Sequence, residues 1–332
     1  MRAFVIQADN SLKIVEKEVP TLKVGKALIK IRAAALNRRD VWIQEGKYPN
    51  ITAGSTIGSD GAGVVVAVGA KEHNSWLDRP VLLNPNIDWG PDPRVQSSDY
   101  TILGMPVDGT LADYVVADVD RLHSPPKHLS LVQASSLPLA GLTAYRALFR
   151  YADVSEKTNV FISGFGGGVA QFAGLFALAT GANVYISSSQ SEVRDRALKL
   201  GAKAAVDYRE KDYLDKLLSI AGGMDLVIDS AGGDQFNDFI KILRPAGRIV
   251  FYGATNGLPQ KINLHQLFWK QGTIQGTSMG NDEEFVEMLR FVEDHQIEPI
   301  IGSTVPFEKI YESLEQMASG ALVGKSVLTF EE

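Results

Sequence analysis

The chain has 332 residues, no cysteine, 45% hydrophobic and 22% charged side chains, and a formal net charge of −6. That length exceeds one compact core and fits two domains, while the negative balance, with no run of like charges, argues against a nucleic-acid partner, which needs a basic face. The missing cysteine excludes disulfides, thiolate zinc sites and a cysteine nucleophile. No apolar stretch is long enough to cross a bilayer and the first residues lack an apolar signal-peptide core, so a cytoplasmic protein without a membrane partner is expected.

From residue 1 to about 120 the chain reads as short β runs between turn residues, at 3–7, 12–19, 27–34, 63–68, 80–84 and 111–117. This is the pattern of an antiparallel β-barrel-type domain. Residues 84–109, rich in Pro, Gly, Asp and Ser, read as an irregular surface loop. Between 129 and 151 apolar residues recur at helical spacing, broken by Pro138 and Gly141. They lead into Val160-Phe-Ile-Ser-Gly164-Phe-Gly-Gly-Gly168-Val-Ala170, an apolar run and a glycine cluster followed by an apolar-periodic segment that ends at Gly181.

That order predicts a buried strand, a tight turn and a helix. Backbone without Cβ can approach a phosphate closely, and free N–H groups at a helix start favour its charge. Gly164, Gly167, Gly168 and Val169 are therefore candidate dinucleotide contacts. The G-x-G-x-x-G fingerprint is imperfect: counted from Gly164 or Gly166 it ends on Val169 or Gln171, which leaves Ala170 as the small residue for close packing. On this stretch alone, a strand-to-helix turn without a ligand stays open.

Further strands are predicted at 183–187, 204–207, 225–229, 248–252 and 273–276, alternating with helices at 191–200, 211–221 and 234–243. With the strand before the glycines these make a Rossmann-type, doubly wound parallel sheet of six strands, and an α/β class overall. A helix at 281–295 carries Phe285, Met288, Leu289 and Val292 on one face and acids at its start. An amphipathic helix at 307–320 and a strand at 325–330 follow, the strand with the first domain's barrel as its simplest destination.

The segments Ala33-Ala-Ala-Leu-Asn37-Arg-Arg-Asp40, Gly58-Ser-Asp-Gly-Ala-Gly63-Val-Val, Leu137-Pro-Leu-Ala-Gly-Leu-Thr-Ala-Tyr145, the glycine turn and Gly324-Lys325 span almost the whole chain. Together they resemble the medium-chain dehydrogenase/reductase superfamily, and within it the zinc-free quinone reductase-like branch. The resemblance implies a GroES-like catalytic domain from residues 1–125 and 296–332, a Rossmann dinucleotide-binding domain over 126–295, and an active site in the cleft. It also implies homodimers, or dimers of dimers, joined through the Rossmann sheet edge near Thr273 to Thr277. Where zinc-dependent relatives place a ligating Cys, a His-Glu pair and a third ligand, this chain has Asn37, Ser59-Asp60 and Leu139 or Ala140. No cysteine occurs in 84–104, where some relatives hold a structural zinc. No metal site is expected.

The resemblance implies a nicotinamide dinucleotide. NAD-specific Rossmann domains carry a carboxylate about 20 residues beyond the glycines; here stand Ser187, Ser188, Ser189 and Gln190, followed by Arg194. Hydroxyls and a guanidinium suit a 2′-phosphate, and Tyr208 matches a family position where an aromatic ring packs near it. NADPH is expected over NADH; the alternative is that the serines are only loop and N-cap residues of helix 191–200, with Ser191 as the cap and Glu192 beginning the turn. Thr143 corresponds to a family position near the nicotinamide and phosphates. Gly253 lies at the carboxyl edge of the sheet, Ser278 and Met279 follow the last strand, and Lys325 is a further candidate contact.

Hydride transfer places negative charge on the acceptor, and without a Lewis-acid metal the acceptor must delocalise it, as quinones and α,β-unsaturated carbonyls do. Asn37 offers an amide N–H, Tyr48 a phenol and Arg39 a guanidinium to meet that charge, each with loop hydrogen bonding as its alternative. Asp40 is expected to hold the loop by pairing with an arginine. Trp42, Tyr48, Trp89, Phe268 and Trp269 are candidates to line a pocket for a flat ring, or to close the core. The expected activity is zinc-independent, NADP(H)-dependent hydride transfer to a small electrophilic acceptor, a quinone or other activated carbonyl. An enoyl-thioester or alkenal reductase, and an NADPH-binding protein with little turnover, are the alternatives.

Overall fold

The computed structural model of the chain describes residues 1–331. Its apolar runs collect into two large sheets that belong to separate units, Met1–Leu142 with residue 280 onward, and Thr143–Met279. In the first unit β1 (Arg2–Ile6) and β2 (Leu12–Glu16) form an antiparallel hairpin. Next come β3 (Lys26–Ala35), the short helix α1 (Arg38–Gln44), β4 (Asp60–Val68) and β5 (Pro80–Leu83). The segment expected to be irregular contains a small ladder, β6 (Asn86–Ile87) with β7 (Thr101–Ile102). Then follow β8 (Tyr114–Asp118), β9 (Leu122–His123), α2 (Leu131–Ala134) and α3 (Pro138–Tyr145). β3 alternates buried and half-exposed residues until Ala33, Ala34 and Ala35, which are all buried. It is therefore half-covered at one end and sealed on both faces where it approaches the polar cluster described below.

The second unit holds β10 (Asn159–Ile162), α4 (Gly168–Ala179), β11 (Asn183–Ser187), α5 (Ser191–Leu200), β12 (Ala204–Val206) and α6 (Tyr213–Ala221). It continues with β13 (Met224–Asp229), α7 (Gln235–Ile242), β14 (Leu243–Phe251), α8 (Leu264–Trp269) and β15 (Thr273–Gly276). Among the described residues the sheet order is β12-β11-β10-β13-β14-β15, every pair parallel. That is the order of a doubly wound dinucleotide-binding sheet, with its reversal between β10 and β13. Glycines end two of its helices: Gly201 and Gly222 adopt left-handed backbone just past α5 and α6, a conformation closed to most other residues.

The chain then returns to the first unit through α9 (Asp282–Asp294), β16 (Ile301–Pro306), α10 (Ile310–Ala318) and β17 (Lys325–Thr329). β17 pairs antiparallel with β3, as the sequence suggested, and β16 lies parallel to β17. The large sheet of the first unit runs β16-β17-β3-β4-β5-β9, with β8 also on β3. Phe4, Ile29, Ile31, Val65, Leu111, Phe307 and Leu328 fill its core.

The unit boundaries differ from those read in the sequence, which assigned residues 126–142 and 280–295 to the dinucleotide domain. Val132 of α2 packs on Ala33, Ala35 and Val327. The Asp282 carboxylate at the start of α9 accepts from Asn86 Nδ2 at 2.7 Å, Asn84 Nδ2 at 3.0 Å and Arg121 Nη2 at 2.7 Å. Those contacts tie both segments to the first unit. No helix among the described residues is long and apolar enough to cross a membrane.

Candidate active site

The glycine turn sits at the carboxyl end of β10, at the reversal of strand order where doubly wound sheets bind ligands. Gly164 takes φ 60°, and a Cβ on Gly164 or Gly166 would meet nothing within 4 Å. Gly167 caps α4, and Gly168, Val169 and Ala170 form its first turn. The first N–H groups of a helix have no carbonyl inside it, and with the helix dipole they favour an anion. Ala170 is buried, yet the tightest packing lies one turn further along. A Cβ on Gly174 would come within 2.3 Å of Phe165 Cε2, so the ring of the turn's own Phe165 occupies the groove that Gly174 leaves.

Side chains lock this turn. Ser163, directly after β10, donates to the Asp229 carboxylate at the end of β13, and Asp229 also accepts the Gly232 N–H at 2.8 Å. Burial raises the Asp229 carboxyl, against the pull of those bonds. Ser187 accepts the Gly164 N–H on Oγ at 3.3 Å and the Phe165 N–H on its carbonyl at 2.8 Å. Ser187 therefore shapes the turn.

Beyond β11 a second cluster forms. Arg194 donates to the Ser188 carbonyl at 2.7 Å and to Asp207 Oδ2 at 3.1 Å. Arg209 grips the same carboxylate with Nε at 3.0 Å and Nη2 at 2.6 Å, and reaches the Ser189 carbonyl at 2.6 Å. The Tyr208 hydroxyl donates to Ser189 Oγ at 3.0 Å. Hydrogen bonds from Arg209, then the charges of both arginines, hold Asp207 well below the usual carboxylate range. Ser188, Ser189, Arg194 and Tyr208 thus come together, as the sequence suggested, and one carboxylate against two guanidiniums leaves the cluster net positive. Arg209 was missed, although it directly follows Tyr208. Ser191 does not cap α5, whose N-cap is Gln190 with no side-chain cap, while Ser188 Oγ accepts the Gln190 N–H at 3.2 Å and so also serves the loop.

Thr143 is buried in α3, and Gly253 follows β14, with Ser230 O 3.0 Å from where its Cβ would stand. After β15, Ser278 is exposed, while Met279 is buried with φ 50°.

The first unit builds a separate polar cluster from strand register. Ala35 of β3 faces Asp60 of β4 on one side and Val327 of β17 on the other. Two residues further along the antiparallel register, Lys325 stands opposite Asn37. Lys325 Nζ donates to Asn37 Oδ1 at 2.6 Å and to Asp60 Oδ2 at 2.9 Å. Asn37 Nδ2 donates to the same Asp60 Oδ2 at 2.9 Å, and Asp60 Oδ1 accepts the Leu139 N–H at 2.8 Å. Lys325 is 3% exposed and Asp60 fully buried. The lysine that the sequence offered to the cofactor has its ammonium in this cluster.

Arg39 is buried as well. Its Nη1 donates to Ser59 Oγ at 2.5 Å and to the Leu103 carbonyl at 2.9 Å, and its guanidinium lies 4.9 Å from the Tyr48 ring centre. Two of the three proposed catalytic side chains, Arg39 and Tyr48, are therefore in contact. Asp40 does not pair with an arginine as expected. Its Oδ2 accepts the Asn37 N–H at 2.7 Å and closes the start of α1, and burial pushes its carboxyl up to about 6. Trp89 is buried, whereas Trp269 and Phe268 on α8 are exposed.

Residues 23–127 match the family profile of the alcohol dehydrogenase GroES-like domain, and residues 168–294 that of zinc-binding dehydrogenases. A zinc-type alcohol dehydrogenase-like protein of Leptosphaeria maculans is 34% identical, covering 96% of this chain and 93% of its own. The chain belongs to the medium-chain dehydrogenase/reductase superfamily. A quinone oxidoreductase of Pongo abelii is 28% identical over 93% of this chain and 91% of its own. The crystal structure of an NAD-dependent alcohol dehydrogenase superposes with a TM-score of 0.92 at 30% identity, over 100% of both chains. This medium-chain dehydrogenase/reductase is thus an oxidoreductase with a GroES-like domain and a Rossmann-like parallel sheet, in a family that binds a nicotinamide cofactor.

The residues fit that cofactor. Open space lies over Gly164 and Gly166 at a helix start, and the turn would take the diphosphate. They do not fit the zinc of its relatives. A zinc site needs three or four convergent N, S or O ligands. The corresponding positions here supply an amide, a hydroxyl, a carboxylate and an aliphatic side chain, and the carboxylate already holds a lysine ammonium. No group of three or more His, Cys, Asp or Glu able to hold a metal occurs among the described residues.

Proposed function

We propose that this chain is a zinc-independent, NADPH-dependent reductase of quinones or other α,β-unsaturated carbonyl compounds. The observation that carries the reading is the buried Asn37–Asp60–Lys325 cluster where zinc-dependent relatives have their ligands. A polarising metal lets relatives handle a simple carbonyl. Without one, the acceptor must spread the developing charge over a conjugated system, and hydrogen-bond donors must meet what remains on oxygen.

The cofactor supplies a hydride when bound. Its diphosphate is assigned to the turn Gly164–Gly167–Gly168–Val169, and its 2′-phosphate to Ser188, Ser189, Arg194, Tyr208 and the added Arg209. Thr143, Gly253, Ser278 and Met279 are assigned to its nicotinamide half. Asn37 meets the acceptor oxygen. Tyr48 offers a phenolic proton, and Arg39, whose guanidinium lies against the Tyr48 ring, orients it.

The test is NADPH and NADH oxidation, followed by absorbance, against a para-quinone, an ortho-quinone, an enone, an enoyl thioester and a simple aldehyde. Turnover with NADPH and conjugated acceptors, but not with the aldehyde, is expected. Turnover of the aldehyde alone would defeat the reading. Tight NADPH binding with no turnover on any acceptor would favour a binding protein over a reductase.

A further inference from the structure

A donor count on the Asn37–Asp60–Lys325 cluster leaves two N–H groups over. An ammonium carries three N–H donors and a primary amide two. Lys325 uses one on Asn37 Oδ1 and one on Asp60 Oδ2, and Asn37 uses one on the same Asp60 oxygen. Each side chain keeps one donor. Both nitrogens sit 2.9 Å from a single oxygen, Asp60 Oδ2, so the two remaining donors start close together.

The amide and the carboxylate are held as well. The ammonium holds the amide oxygen of Asn37, which settles which end of that amide is nitrogen. The Leu139 N–H holds the other Asp60 oxygen at 2.8 Å. Stability alone gives little reason for such a cluster, because a buried ion pair is commonly no more stable than apolar residues of the same size.

We propose that the remaining N–H groups of Lys325 Nζ and Asn37 Nδ2 form an oxyanion hole, and that Lys325 is a catalytic residue. This rests on the reductase reading above. As the hydride pair forms the new C–H bond at the conjugated carbon of the acceptor, the C=C pair shifts toward the carbonyl carbon and the carbonyl pair moves onto oxygen. The enolate oxygen accepts both donors, and a proton from the Tyr48 phenol, replaced from solvent, then adds to the α-carbon as the enolate pair returns to it and the carbonyl reforms. The lysine ammonium, its charge balanced by Asp60, supplies from the chain itself a charged hydrogen-bond donor where relatives have a metal.

The decisive variant is Asp60→Asn combined with Lys325→Met, which removes both charges and leaves no buried carboxylate unpaired. Four readouts are taken: a thermal melt, the NADPH Kd by fluorescence, kcat and KM with the best acceptor, and the ionisation of bound 4-nitrophenol by absorbance. An oxyanion hole lowers the nitrophenol pKa on the wild-type protein, and this shift disappears in the variant. The folded variant keeps its NADPH Kd and its KM, and kcat falls about 100-fold, the usual effect of losing such a donor.

A folded variant with near-wild-type kcat overturns the proposal, and so does a lower NADPH affinity at unchanged kcat, which would make Lys325 a cofactor contact. Absence of any nitrophenol shift on the wild-type protein overturns it regardless of whether the variant folds. If the wild type reduces no acceptor, the reductase reading fails, while the nitrophenol titration still decides the oxyanion hole.

Discussion

Replacing Arg194 or Arg209 by alanine tests the 2′-phosphate assignment directly. Both guanidiniums hold the Asp207 carboxylate, so the intact cluster is net positive, and removing either leaves it neutral. A charge-assisted hydrogen bond is worth ~1.5–3 kcal/mol, which corresponds to a Kd ratio of ~10 to 150. Arg194, only 22% exposed in its side chain, belongs in that range. Arg209 is 65% exposed, and solvent screening makes its share the smaller of the two. NADH lacks the phosphate, so its affinity should hardly change in either variant. Fluorescence titration of both nucleotides at low and high salt gives the four constants needed, and the NADPH effect should shrink as salt rises. Equal loss of NADPH and NADH affinity in a folded Arg194→Ala protein would refute the assignment. So would no loss of either.

Four further outcomes are expected. Asp40 is buried with its carboxyl raised from 3.8 to about 6, so the folded state binds its proton more tightly than the unfolded state. Stability from this group is present below pH 3.8 and falls as pH rises through about 6, a loss of roughly 3 kcal/mol at neutral pH. Asp40→Asn keeps an acceptor for the Asn37 N–H, and it should raise the melting temperature at pH 7 but not at pH 4; equal effects at both would contradict the burial argument. Gly174→Ala drives a methyl into the Phe165 ring, and overpacking outweighs the helix-propensity gain to give a loss of ~1–2 kcal/mol; an unchanged melt would show that the ring yields freely. We propose that two copies join at the edge strand β15, and that Trp269, 83% exposed on α8 just before it in the chain, takes part, so Trp269→Glu should lower the sedimentation mass, and a monomeric wild type would end that idea. Elemental analysis after growth with zinc should find far less than one zinc per chain; a stoichiometric zinc required for activity would overturn the metal-free mechanism.

The parallel sheet was legible because its strands are buried on both faces. Val160-Phe-Ile and Leu226-Val-Ile read as unbroken apolar runs, and Gly201 and Gly222 mark helix ends that only glycine serves well. The helix α1 was not legible. It has seven residues, two of them arginines, and its stability is tertiary: the Asp40 cap at its start, and Arg39 reaching Ser59 and Leu103. β16 was hidden by Gly302 and Pro306 inside its run. The amphipathic pattern of 281–295 announced a packed face, yet only the ties from Asn84, Asn86 and Arg121 to Asp282 say which unit it packs on. For the site, Asn37, Arg39 and Tyr48 stood out locally. The function of Lys325 did not, since its partners lie 288 and 265 positions away and meet it only through strand register.

That register also explains why the zinc and zinc-free forms of this site are not one substitution apart. Asn37→Cys alone would place a thiol beside the Lys325 ammonium, which favours the thiolate and pairs with it. The new sulfur would thus be neutralised by the lysine rather than by a metal. Ser59→His alone would take away the hydroxyl that accepts from Arg39 and leave a buried guanidinium donor short of an acceptor, a penalty of ~1–3 kcal/mol. Lys325→Met alone would strip Asp60 of its counter-charge in a fully buried position, where breaking one side of an ion pair costs about 3–5 kcal/mol. Each step toward a metal site is unfavourable until the others are made, and Leu139 would still have to be replaced by a ligand. The lysine, amide and carboxylate therefore hold one another in place as a unit, and the donors they present belong to the fold.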